Sequence, residues 1–210
     1  FWVGHPMIDL TKKLPLKKDA RTILNLRPDQ NIILLMPASR PQELRYILPT
    51  FMKAAKKLQQ KYPSLVVYIP SCRDAFDEIF KKAFRKYQVK GLVISQKDSA
   101  KLKPYIYSLT KIALCKSGTV NMELALYGIP QIVGYRVSRV TAFIAKKILN
   151  FKVRFISPVN LLVNKLIIPE FVQKEFNEKK IFYKSCRILE GKSEKIKIKK
   201  GYAFLKKELG

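Results

Sequence analysis

Short apolar runs alternate with amphipathic segments along most of this chain, and that alternation limits the fold more than any other feature. Residues 32–36, Ile-Ile-Leu-Leu-Met, end at Pro37 and read as a buried strand. A helix is expected over 43–61, with Leu44, Ile47, Leu48, Phe51, Ala54, Ala55 and Leu58 at helical period. Tyr62-Pro63-Ser64 ends it. Residues 65–69 form a second strand, and 74–87 a helix with Ala75, Ile79 and Ala83 on one face. Gly91 opens a third strand, Leu92-Val93-Ile94, and a helix follows over 99–108. Residues 111–115 are a fourth strand. The turn Lys116-Ser117-Gly118 then leads into a helix from Thr119 that stops at Tyr127-Gly128, where glycine suits a C-cap. Residues 131–135 are a fifth strand, 139–150 a helix and 153–157 a short sixth strand. Beyond Pro169 the chain is expected to be helical to about Leu189. Residues 192–207 hold seven lysines and one glutamate and are expected to form a mobile or surface-bound tail.

This order predicts an α/β fold, a Rossmann-like parallel sheet with helices on both faces. It implies a lead-in over residues 1–30, a sheet domain over 31–190 and a basic tail over 191–210. Ligands of such sheets lie at the C-terminal strand ends, where strand order reverses. The loops after strands one, three, four and six are therefore the places to look.

Composition narrows the partners. The chain has 210 residues, 42 Lys+Arg against 15 Asp+Glu, and a net charge of +27. Its 48% apolar content builds a core, which excludes a disordered basic tail. The charge admits nucleic acid, an anionic membrane surface or an anionic substrate. Lysine supplies 32 of the 42 positive charges, and lysine lacks arginine's bidentate readout. No nucleic-acid reader motif occurs and the aromatics sit mostly at expected core positions, so nucleic acid is not the expected partner. His5 is the single histidine, so a His-rich metal site cannot form. Cys72, Cys115 and Cys186 are far apart and read as reduced thiols of a cytosol-like compartment. No apolar run reaches the ~18 residues of a spanning helix. The chain starts Phe1-Trp2-Val3, from which a missing N-terminal portion is expected.

Neither a dinucleotide fingerprint, a P-loop, a nucleophile elbow nor a D-x-D triplet occurs, so no metal or other cofactor is expected. The loop Lys116-Ser117-Gly118-Thr119 enters a helix N-terminus, whose open amides suit a phosphate; alternatively Ser117 or Thr119 only caps the helix. Glu123 lies one turn on, on the face of Thr119. It suits a pair of ribose hydroxyls or is an ordinary solvated glutamate. Ser39-Arg40 with Glu43 places an arginine beyond the first strand, either for a pyrophosphate or paired with Glu43. Asn160, in Ser157-Pro158-Val159-Asn160-Leu161-Leu162, orients a substrate or shapes the turn. Residues 136–154 carry Arg136, Arg139, Lys146, Lys147, Lys152 and Arg154, with Lys165 nearby and no acid. Val140, Phe143, Ile144, Ile148 and Phe151 give that segment an apolar face. It reads as a basic amphipathic helix for anionic lipid or as an ordinary crossover helix.

Taken in order, several motifs resemble the C-terminal half of the lipid-A-disaccharide synthase family, glycosyltransferases of the GT-B fold. They are Val3-Gly4-His5-Pro6, Pro37-Ala38-Ser39-Arg40 with Glu43, and Ser117-Gly118-Thr119 with Glu123. Gly128-Ile129-Pro130, Val133-Gly134-Tyr135-Arg136 and the 157–162 segment complete the set. The family usually has glycine where this chain has Ala38. The resemblance implies glycosyl transfer from UDP-2,3-diacylglucosamine to 2,3-diacylglucosamine 1-phosphate (lipid X), with inversion and without a metal. It implies Arg40 and Asn160 as catalytic contacts. Ser39, Arg40, Glu43, Ser117, Gly118, Thr119, Glu123 and Asn160 would bind donor or substrate. The general base would lie in the absent N-terminal half, leaving this half inactive by itself. It further implies peripheral contact with an anionic membrane on the cytoplasmic face of the inner membrane or its organelle equivalent, and a possible homodimer. Another UDP-sugar transferase or epimerase of the same fold, a basic nucleic-acid-binding domain and a degenerate remnant are the alternatives.

Overall fold

The computed structural model describes residues 13–138 and 154–210. The expected helix over 139–150 and the Val3-Gly4-His5-Pro6 motif lie outside the described residues. The strands are β1 (Asn31–Met36), β2 (Leu65–Pro70), β3 (Gly91–Ile94), β4 (Thr110–Lys116), β5 (Gln131–Tyr135) and β6 (Glu170–Val172). They form one parallel sheet in the order β3-β2-β1-β4-β5-β6. Ile32 to Leu35 in β1 are fully buried, as a central parallel strand covered on both faces requires.

The described helices are α1 (Lys17–Ile23), α2 (Pro41–Lys61), α3 (Asp77–Tyr87), α4 (Gln96–Leu109), α5 (Val120–Leu126), α6 (Pro158–Val163), α7 (Glu178–Glu190) and α8 (Lys192–Leu209). From β1 the chain steps outward to β2 and β3, then returns through α4 to β4 on the other side of β1. Right-handed crossovers therefore place α2 and α3 on one face and α4 and α5 on the other. Helix α7 packs on α2, α1 packs on α4, and α8 touches α5 and α6, so both faces are covered. Every apolar position expected to face inward on α2 is buried.

Three expectations need correction. Residues 154–157 are not a strand, because the amides of Ile156 and Ser157 donate to the Glu170 carboxylate at 2.7 and 2.9 Å instead of to a neighbouring strand. The sixth strand is β6, so the chain beyond Pro169 is extended before it becomes helical at α7. On α3 the inward face is Phe80, Ala83 and Phe84, preceded by Phe76 in a short 3-10 turn (Asp74–Phe76); Ile79 is exposed. The three aromatic rings bury more apolar area than the alternative face.

The lysine-rich C-terminus also differs from expectation. It forms α8, which buries Ile198, Tyr202, Leu205 and Leu209 at helical spacing and turns its lysines outward. Two glycines have clear structural reasons. Gly128 ends α5 at φ +72°, where a side chain is strained, as its C-cap reading expected. At Gly134 in β5 a Cβ would lie 2.0 Å from the Phe176 ring, which itself packs edge-on against Phe51 of α2 at 5.0 Å between centroids.

Candidate functional site

Strand order reverses between β1 and β4, so the loops leaving these two strands lie side by side at the C-terminal edge of the sheet, where parallel sheets of this kind take their ligands in a crevice. The first loop carries Ser39 and Arg40, both exposed. Arg40 is the extended N-cap residue of α2, with Pro41 at the first helical position. Its side chain makes no hydrogen bond or ion pair among the described residues. Ala38 packs against the core and is not among the residues with positive φ, so its Cβ is accommodated where the family usually has glycine.

Glu43 does not pair with Arg40. Both of its carboxylate oxygens accept from Lys116 Nζ at 2.7 Å. The side chains of Lys116 and Glu43 are 19% and 14% exposed, so the pair forms a charged floor joining the head of α2 to the end of β4. The sequence reads Lys116 only as a residue of the turn into α5. The structure extends the fourth strand by one residue to Lys116, and its neighbour Glu43 is set by strand order, which no local signal carries.

The β4–α5 loop is held from inside. Asn121 Oδ1 accepts the Gly118 N–H at 2.8 Å and Asn121 Nδ2 donates to the Lys116 carbonyl at 3.3 Å. The Ser117 hydroxyl donates to the Ile156 carbonyl. Neither Ser117 nor Thr119 caps α5 through its side chain. The Gly118 amide and the Ser117 hydroxyl are thus occupied by the fold rather than offered to a ligand. The Thr119 side chain is exposed, and the amides of Thr119 and Val120 have no partner among the described residues. These are the open donors of the loop.

Glu123 stands one turn further and pairs with Lys103 of α4 at 2.7 Å, with its own side chain 25% exposed. Tyr107 lies beside it; burial, together with the Glu123 charge, pushes that phenol above its usual range.

Asn160 is placed differently from expectation. It is fully buried, and its Nδ2 donates to the Ile168 carbonyl at 2.8 Å and to Glu170 at 2.7 Å. Its Oδ1 accepts from the Ile167 and Ile168 amides at 2.8 and 3.0 Å. All four of its bonding positions are filled, so it shapes the chain between α6 and β6 and touches no ligand space. Ser157 caps α6 by accepting from the Asn160 amide at 3.2 Å. The loop after β3 holds no chemistry either: Ser95 caps α4 and bonds Asp98. The basic stretch 136–154 lies outside the described residues except at its ends. At one end, the Arg136 guanidinium is spent on the carbonyls of Gln173 and Phe176.

A family model described as lipid-A-disaccharide synthetase matches residues 1–209. The chain belongs to this family. It is 44% identical over 209 residues to the lipid-A-disaccharide synthase of Prochlorococcus marinus (strain MIT 9313), covering all of this chain and 53% of that protein. It is 36% identical to the enzyme of Gloeothece citriformis (strain PCC 7424), again over all of this chain and 53% of the relative. The chain thus spans about half the length of the curated relatives it matches. Among solved structures it superposes on WaaG, a glycosyltransferase involved in lipopolysaccharide biosynthesis, with a TM-score of 0.61 at 11% identity, covering 97% of this chain and 49% of that one. It also superposes on the C-terminal CMP-Kdo binding domain of WaaA from Acinetobacter baumannii, TM-score 0.57 at 9% identity, over 95% of this chain and 97% of that one. At those identities the likeness shows the fold alone: the Rossmann-like fold of the C-terminal half in the GT-B architecture.

Proposed function

We propose that this chain is the donor-binding half of a lipid-A-disaccharide synthase, and that the β1–β4 crevice holds the UDP of UDP-2,3-diacylglucosamine. The observation that carries the reading is the meeting of the two loops at the strand-order reversal, tied by Lys116 and Glu43 at 2.7 Å. The Arg40 guanidinium, without a side-chain partner among the described residues, the Thr119 hydroxyl and the amides of Thr119 and Val120 face the diphosphate. There they stabilise the charge that develops as UDP leaves. Glu123 accepts the ribose hydroxyls, exchanging part of its bond to Lys103 for them. Ser39 lies at the rim. Glu43, Ser117 and Gly118 act by holding the loops in place.

In the reaction, the 6-hydroxyl oxygen of lipid X bonds to the donor anomeric carbon while the bond from that carbon to the UDP oxygen breaks, inverting the centre. The hydroxyl proton passes to a general base supplied by the portion of the relatives that this chain does not span. No step calls on a metal. The proposed acylated substrates and the basic character of residues 136–154 support a peripheral position on an anionic membrane, at the cytoplasmic face of the inner membrane or its organelle equivalent. A homodimer is compatible with this placement. Among the described residues no helix is long and apolar enough to cross a membrane.

The test is turnover of UDP-2,3-diacylglucosamine and lipid X by the full-length protein. Arg40→Ala and Glu123→Ala are each expected to lower it at least about tenfold with the fold intact, the scale of a lost charge-assisted contact. Wild-type turnover in both variants contradicts the assignment.

A further inference from the structure

We propose that a buried hydrogen-bond chain, Tyr202–Gln131–Asn121, makes the C-terminal helix α8 a positioning element for the donor loop. The functional part of this proposal rests on the reading that the 117–120 loop faces the donor diphosphate. None of the three residues touches a ligand; they act through the loop.

Asn121 and Gln131 are fully buried and Tyr202 is 2% exposed. Asn121 brackets Ser117, accepting from the Gly118 amide on one side and donating to the Lys116 carbonyl on the other. Gln131, at the start of β5, fixes the orientation of Asn121 through two bonds. Its Oε1 accepts from Asn121 Nδ2 at 3.0 Å, and its Nε2 donates to the Asn121 carbonyl at 2.9 Å. The same Nε2 reaches the Tyr202 hydroxyl at 3.2 Å, and that hydroxyl donates to the Ile129 carbonyl at 2.9 Å. The Cys115 thiol lies 3.2 Å from Asn121 Nδ2 and 3.5 Å from Gln131 Oε1.

Donors and acceptors match in one arrangement only. Asn121 must present oxygen to Gly118 and nitrogen to Gln131, and turning either amide over sets donor against donor. Apolar side chains of similar volume would fill this space without the desolvation cost of polar groups. What the polar chain adds is a single orientation of Asn121, hence of the Gly118 peptide and of the Thr119 and Val120 amides that follow it. The chain ends on α8, so the Tyr202 hydroxyl ties that helix to the donor loop.

The experiment uses the full-length protein with Tyr202→Phe and Gln131→Met, which retain volume and remove hydrogen bonding. Ile198→Val, a buried apolar change on the same helix outside the chain, is the control. Two quantities are measured: UDP affinity by calorimetry and hydrogen exchange at the Gly118 amide. Gln131→Met is expected to weaken UDP binding about tenfold and Tyr202→Phe about threefold, both with faster exchange at Gly118, the size of an ordinary positional coupling. Ile198→Val is expected to lower the melting temperature and leave both readouts unchanged. If the two network variants lose melting temperature but keep wild-type UDP affinity and Gly118 exchange, the proposal is overturned. Faster exchange with unchanged affinity overturns the positioning role. A wild-type protein that fails to bind UDP contradicts the donor-site reading instead, and exchange at Gly118 then still decides whether α8 controls the loop.

Discussion

Lys116 and Glu43 lie 73 positions apart in sequence and meet at two distances of 2.7 Å. Nothing local in the sequence signals that pairing, because it follows from β1 and β4 becoming neighbours. With Glu43 taken up by Lys116, Arg40 makes no side-chain bond among the described residues, the state that the proposed diphosphate contact needs. Lys116→Met strands a mostly buried carboxylate and is expected to cost about 2 kcal/mol, less than for a fully buried pair because both groups keep some solvent. Adding Glu43→Gln should restore half of it or more in urea midpoints. Asn160 stands at the opposite extreme. Its position between apolar neighbours was visible in the sequence, yet its polar atoms serve the backbone of Ile167 and Ile168. A buried asparagine and a ligand-binding one look alike until the partners are seen.

Cys115 supports a second prediction at this scale. Burial pushes its thiol up to about 12 from an ordinary 9.0, with the Asn121 hydrogen bond opposing. The folded pKa is raised, so the unfolded chain ionises first. The stabilising contribution is complete below pH 9 and is lost as pH rises toward 12. Tyr107 and Tyr202, also raised by burial, act in the same direction. Urea midpoints are expected to fall between pH 8.5 and pH 10.5, values spanning about the free thiol pKa; a flat or rising profile contradicts this. At neutral pH a thiol reagent should label exposed Cys72 and reach Cys115 only on unfolding.

Among the elements, β1 through β5 were legible because their apolar runs are bounded by Pro, Gly or charged residues. The α2 stripe was legible because seven apolar positions keep one period. Strand β6 was not, since three residues beginning with Glu170 carry no alternation, whereas 153–157 imitates a strand. Helix α8 was hidden by composition. Its spacing, Ile198, Tyr202, Leu205 and Leu209, is regular, but the surrounding lysines dominate any reading by charge. All four side chains are buried, and Ile198, Leu205 and Leu209 each contribute roughly 1.5–3 kcal/mol relative to exposure. Truncation after Gly191 is therefore expected to yield insoluble or strongly destabilised protein; a soluble truncate with an unchanged melting temperature would contradict the packing described. On β5, Gly134→Ala drives a methyl into the Phe176 ring and should cost about 1–3 kcal/mol by overpacking.

At the scale of the whole molecule, the parallel sheet was predictable from element order, but the sequence left the loops after strands one, three, four and six equally open; only the strand order, with its reversal between β1 and β4, brings the Arg40 loop beside Thr119 and the α5 residue Glu123. The net charge of +27 has few local uses at the β1–β4 crevice, where Lys116 and Lys103 are already paired with carboxylates. The remaining basic surface is expected to show as salt-sensitive attachment of the full-length protein to anionic phosphatidylglycerol vesicles, and as none to phosphatidylcholine vesicles. The measurement closest to the central claim is a hydrogen-exchange footprint of UDP on the full-length protein. Protection confined to residues 38–43 and 116–123 is the result expected. Protection elsewhere on the chain, with those two loops unchanged, would contradict a donor site at the β1–β4 crevice.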